Sequence, residues 1–175
     1  MNRSVDSTHR TQIGPNVLQV PKEVAGGGIK EREVFIDAPV ETVWRVFSDV
    51  EAWSQVTDAI EYGRWTSENP WQVGSTFEVR IQWPHPVKLS HVVMSYRPYS
   101  EMRFLIHALG IVIERLIVMR PEHGRTLLTT QVAYIGTSIE PLPDEVGALV
   151  KQYDAKVFQD FKRACESASP DTSVA

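Results

Sequence analysis

Apolar and polar residues alternate along "IKEREVFI" (29–36), which predicts a strand with Val34 and Ile36 on one face. The alternation stops at Asp37-Ala38-Pro39. Pro39 fits the first position of a helix, where its missing N–H costs nothing, and Asp37 stands just ahead of the positive helix end. Val40, Val43, Trp44 and Phe47 then recur at i, i+3, i+4 and i+7, one apolar stripe of a short amphipathic helix. Asp49 is placed to cap a second short helix that carries Trp53 and Val56.

Beyond this point the period returns to two. "AIEYGRW" is a short strand leading into a turn. In "GSTFEVRIQW", Phe77, Val79 and Ile81 oppose Glu78 and Arg80, until Pro84 and Pro86 end the ladder. "KLSHVVMSY" and "EMRFLIHAL" flank the turn "RPYS", and "IVIERLIVMR" and "RTLLTTQVAYI" flank the turn "PEHG". Two hairpins in succession predict an antiparallel meander. The last element is a long helix from near Pro143 to about Ser167. Its stripe is Val146, Leu149, Val150, Tyr153, Val157, Phe161 and Ala164, with Lys151, Asp154, Lys156, Asp160 and Lys162 largely off it.

The order is strand, two short helices, about six strands and a long helix. Strands grouped apart from helices predict an α+β domain. A curved antiparallel sheet of about seven strands, wrapped around the long C-terminal helix, buries the helix stripe and can leave a cavity between the two. The domain is expected over 29–168. Residues 1–28 read as a flexible N-terminal arm with Pro15, Pro21 and a Gly26-Gly27-Gly28 joint, and 169–175 as a disordered tail.

Composition narrows the function classes. A chain of 175 residues, 42% hydrophobic and 23% charged, is ordinary for a globular domain with a real core. The net charge is −4 and no run of basic residues occurs, so there is no footprint for nucleic acid or an acidic membrane. No apolar stretch reaches the roughly 20 residues of a membrane span, and the N-terminus lacks a secretory h-region, so the cytoplasm is the expected location. Cys165 is the single cysteine, which excludes an intramolecular disulfide and predicts a small buried hydrophobe.

Catalytic signatures are sparse. The sequence has no His-x-His, His-Glu-x-x-His, Gly-x-Ser-x-Gly, P-loop or Gly-x-Gly-x-x-Gly spacing. No metal, cofactor or nucleophile is therefore expected, and no catalytic residue is assigned. With one residue added to the "RPYS" turn, His91 and His107 face each other across a hairpin. Met102, Phe104 and Ile106 alternate with Arg103 and His107, which predicts an outward, solvent-facing histidine pair. Glu114 and Arg115 interrupt an apolar strand, so one of them must point to the concave side. Tyr96, Tyr134 and Tyr153 can all reach the space between sheet and helix. Each either orients a ligand oxygen there or is a core aromatic with its hydroxyl on a backbone carbonyl.

"VFIDAPVETVWRVFSDVEAWSQV" resembles the opening of the SRPBCC superfamily, also called START-like or helix-grip proteins, in its polyketide cyclase/dehydrase branch. The matching positions are Ile36, Ala38, Pro39, Val43, Trp44, Asp49 and Trp53. "WQVGSTFEVRI" and "RLIVMRPEHGRTLLT" resemble later family hairpins, so the similarity runs over about 29–165. The resemblance implies a helix-grip fold with an apolar cavity between sheet and long helix. It places Ile117 and Met119 inward, hence Arg115 inward with Ile113. There Arg115 is either paired by a protein carboxylate, holding a ligand's carboxylate or enolate, or snorkelling at the rim. Trp44 is expected in the core and Trp53 at the cavity mouth.

The functional expectation is binding of a small hydrophobic ligand, lipid-like, aromatic or polyketide-like, with a cyclase or dehydratase activity as one option. The expected ligand-binding residues are Trp53, Phe77, Tyr96, Phe104, Arg115, Tyr134 and Tyr153. The alternative is a non-enzymatic, co-chaperone-like interaction module. In it Val17, Leu18 and Val20 of the arm dock on a partner or on a second copy to form a homodimer.

Overall fold

The computed structural model describes residues 30–137 and 144–168. The expected arm, Ile29, Pro143 and the tail 169–175 lie outside the described residues.

Pro39 stands immediately before α1 (Val40–Ser48), with φ at −59°. Its carbonyl accepts from the Thr42 and Val43 amides and so starts the helix without an intervening loop. Val40, Val43, Trp44 and Phe47, the predicted stripe, are all buried. Asp49 accepts from the Ala52 amide at 3.2 Å and caps a 3-10 turn, Val50–Ala52, which runs into α2 (Trp53–Val56). The chain then enters the sheet at β2 (Ile60–Trp65). Gly63 lets β2 pass this turn, because a Cβ there would sit 2.2 Å from the Val50 carbonyl oxygen.

The sheet has seven strands, each antiparallel to its neighbours. With β1 (Lys30–Ile36), β3 (Thr76–Ile81), β4 (Val87–Arg97), β5 (Glu101–Ala108), β6 (Ile111–Glu122) and β7 (Arg125–Thr137), the order is β1-β7-β6-β5-β4-β3-β2. β2 to β7 form the meander, and α1 and α2 carry the chain from one sheet edge to the other. The last two hairpins close through Leu109-Gly110 and His123-Gly124, two-residue turns with positive φ at both positions. That backbone twist matches the twist of paired strands.

One face of the sheet packs on the long helix α3 (Asp144–Ser167). Phe77, Val93, Met102, Phe104, Ile117 and Leu128 form a single core with Val43, Trp44, Phe47, Phe158, Phe161 and Cys165. The helix is bound unevenly. Its second half buries Phe158, Phe161 and Cys165, whereas Val146, Leu149, Val150 and Tyr153 are only half-buried. Asp160, expected off the stripe, is buried instead. It accepts from the Thr57 hydroxyl at 2.6 Å and pairs with Lys156 and Arg163. Lys162 donates to the Phe35 carbonyl at 2.7 Å, and Glu166 accepts from the Asp37 amide at 2.9 Å. These polar ties hold the C-terminal half of α3 to β1 and to the link between α2 and β2. Burial costs Asp160 little because all three partners face it.

Candidate functional site

Between the sheet, α2 and α3 lies an inner cavity of about 70 Å³. Its walls are largely apolar, including Phe47, Val79, Phe104, Ile106, Ile117 and Val157. Outside it, a groove of about 390 Å³ runs between β1, β7 and the first half of α3, past Glu31, Thr130, Val132, Val150 and Lys151. Asp154 and Phe158 line both spaces and form the partition between them.

Arg115 projects inward from β6, as its parity requires, and is 8% exposed. Its Nη2 donates to Asp154 at 2.7 Å and its Nη1 to the Thr130 hydroxyl at 3.2 Å. The guanidinium lies over the Phe158 ring, 5.5 Å from the centroid. Of the three environments weighed for Arg115, pairing by a protein carboxylate is present, and the carboxylate comes from the helix. Glu114 points to the opposite face, where it pairs with Arg103.

His91 departs from expectation. It is 4% exposed, on the concave face, and lines the inner cavity. The hairpin does begin in the expected register, with Arg97 opposite Glu101 and Ser95 opposite Arg103. A β-bulge then intervenes: Val93 pairs with Phe104, leaving Met94 as the extra residue. Beyond the bulge, His91 faces Ile106 and Ser90 faces His107. His107 is exposed as predicted, and the surface pair does not exist. The signal was in β4 itself: Leu89, His91 and Val93 share one face, and two of the three are apolar. Burial, then the nearby Arg115 charge, lowers the imidazole pKa to about 3.

Of the other expected site residues, Trp53, Phe104, Arg115 and Tyr153 line the inner cavity. The Trp53 indole donates to the Phe47 carbonyl at 3.2 Å and meets Phe77 and Phe161 edge-on. Phe77 packs behind the lining, flat against His91. Tyr96 stacks on Trp71 and touches Trp44, outside the lining. Tyr134 is buried with no partner for its hydroxyl among the described residues, and it too lies outside the lining. Burial raises the pKa of all three tyrosines above the ordinary phenol value. The cavity therefore presents one neutral imidazole and one neutral phenol, that of Tyr153, beside one internally compensated ion pair. Pattern reading missed Asp154, Phe158 and His91, the first two because the buried stripe of α3 is broader than the spacing suggested.

No family model matches the sequence, and no curated protein matches it. Solved structures do match. Ara h 8.0201 superposes with a TM-score of 0.69 at 18% identity, over 82% of this chain and 100% of that one. The Zhui aromatase/cyclase from Streptomyces sp. R1128 gives 0.67 at 14% identity, over 85% and 99%. A START superfamily protein from Mycobacterium smegmatis gives 0.61 at 17% identity, over 81% and 95%. The chain has the helix-grip fold that these structures share. At these identities the likeness concerns architecture, and function must be argued from the site. In this helix-grip chain the inner cavity and the groove both adjoin the long helix. No helix among the described residues is long and apolar enough to cross a membrane.

Proposed function

We propose that the protein binds a small hydrophobic ligand, lipid-like, aromatic or polyketide-like, between the sheet and α3. The observation that carries this reading is the pair of adjoining spaces, the inner one largely apolar, that share Asp154 and Phe158 as a common wall. The inner cavity alone holds little more than water. Joined to the groove by displacement of that partition, it reaches the range of small-molecule sites, roughly 300 Å³ and above. Opening would fall on the half-buried first half of α3, where the Arg115–Asp154 pair is the tie to be broken, while the ties of Asp160 and Glu166 hold the other half. Apolar burial supplies most of the affinity, at about 25 cal/mol per Å². Trp53, Phe104 and Tyr153 form the walls and Arg115 a polar floor, with Phe77, Tyr96 and Tyr134 as the supporting layer.

The same lining would serve cyclisation or dehydration of an enolisable substrate, because Arg115 and Tyr153 offer donors to a developing enolate inside one cavity. Binding is common to both versions. Native mass spectrometry of protein purified from its own host tests it. The expected spectrum contains a non-covalent apolar adduct at one per chain. Unliganded chain alone, together with no saturable uptake of a fluorescent apolar probe, contradicts the reading.

A further inference from the structure

The long helix leaves part of its apolar face open. Val146, Leu149, Val150 and Tyr153, all in the first half of α3, are only half-buried. An amphipathic helix draws most of its stability from covering such a stripe. The groove of about 390 Å³ runs beside this face, and Val132, Val150 and Phe158 are its apolar surface. Among its charged residues, Glu31 and Asp154 offset Arg32 and Lys151, so the groove has no net charge with which to attract an ionic partner.

The chain itself supplies an occupant. Lys30, where β1 begins, is the direct cross-strand partner of Val132, and Glu31 and Arg32 follow it along the groove. The stretch 13–24 therefore joins the domain at the groove, through a short link that holds Gly26, Gly27 and Gly28. Glycine takes either sign of φ, so this link can reverse the chain. About twelve residues separate Leu18 from Lys30, a reach of roughly 40 Å when extended. Half of α3 is about 18 Å long. The stretch carries Ile13, Val17, Leu18, Val20 and Val24, with no charge before Lys22. It can cover Val132, Val150 and Phe158 without desolvating a charge of its own. Pro15 and Pro21 limit the conformations given up on docking. A tethered segment also needs little intrinsic affinity, because its effective concentration is on the order of millimolar. A free peptide or a second copy has no such advantage.

We propose that the stretch 13–24 folds back into the groove of its own chain, covers the half-buried face of α3 and competes there with the ligand. The docking is independent of the ligand-binding reading above; the competition rests on it. A ligand then displaces the arm before it reaches the common wall of Asp154 and Phe158.

A nitroxide attached through Gln19→Cys in the full chain tests the docking. Cys165 is fully buried, so the new thiol takes the label. Methyl-labelled protein is expected to show strong paramagnetic broadening at Val132 and Val150. Val73, in the β2–β3 connection at the opposite end of the sheet, should keep its linewidth. The broadening should persist when the sample is diluted with unmodified chain at natural isotope abundance. Its loss on dilution overturns the proposal and assigns the groove to a second copy's arm. No broadening at either valine overturns it outright. Adding Leu18→Asp opposes apolar docking. It should abolish the broadening and tighten binding of a fluorescent apolar probe about tenfold, the worth of one buried leucine. Unchanged probe affinity with the broadening lost overturns the competition. No probe binding by either chain removes the competition together with the ligand reading, while the broadening still decides the docking.

Discussion

The imidazole of His91 lies flat on the ring of Phe77, with centroids 4.3 Å apart and planes 10° apart. The two residues are direct cross-strand partners on β4 and β3. Their stacking places a titratable group in the core, and this has a consequence for stability.

The His91 pKa is about 3 in the folded chain against an ordinary 6.5. Between those values the unfolded chain binds a proton that the folded chain refuses. Stability from this residue is complete above about pH 6.5 and is lost as pH falls toward 3, with a slope of up to about 1.4 kcal/mol per pH unit. Urea denaturation across this range is expected to show a steeper acid loss for the wild type than for His91→Phe. A His91 resonance titrating near its ordinary value would contradict the burial argument.

Asp154 is the sole carboxylate that the cavity lining sets against Arg115. Asp154→Ala leaves a buried guanidinium without its countercharge and is expected to cost about 3 kcal/mol. Replacing the pair together, Arg115→Met with Asp154→Leu, removes both desolvation penalties and is expected to be far milder than the single change. Chemical denaturation of the three variants checks the order.

How much of this was legible beforehand follows from where periodicity carries information. The stripe Val40, Val43, Trp44, Phe47 and the alternation Phe77, Val79, Ile81 state which face is buried, so element order and the α+β class follow from them. At Glu114-Arg115 alternation alone left either residue inward, and the resemblance, through Ile117 and Met119, chose Arg115. Parity survives only while pairing is regular, however, and the extra residue Met94 shifts His91 from the expected outer face to the cavity. On α3, Asp154 and Asp160 fall off the apolar stripe, because a helix pattern records polarity and not partners. Arg115 and Thr57, which receive them, are distant in sequence and close only after folding.

Asp160 ties α3 to Thr57 at the end of α2. Asp160→Ala strands the Thr57 hydroxyl in a buried position and is expected to destabilise the fold by about 2 kcal/mol. Thr57→Val should cost less, and a double-mutant cycle should return a coupling of about 1 kcal/mol. Thermal melts of the four chains measure this. Additive effects would show that the tie contributes nothing to holding the helix.

Trp53 joins the cavity wall to the core through Phe77 and Phe161. Trp53→Ala is expected to cost about 3 kcal/mol and to weaken an apolar ligand. Trp53→Phe should retain most of both, since a ring still fills the space. Affinity for a fluorescent apolar probe, measured beside the melts, separates the two effects. An unchanged affinity in Trp53→Ala would move the ligand away from this wall.

The most direct test of a ligand between sheet and helix is its position. Intermolecular NOEs from a bound apolar probe to methyl-labelled protein provide it. The expected contacts are to the methyl groups of Ile106, Ile117 and Val157, which line the inner cavity. Contacts confined to Leu105 and Leu116, neighbours of Ile106 and Ile117 on the opposite sheet face, would contradict a site inside the helix grip.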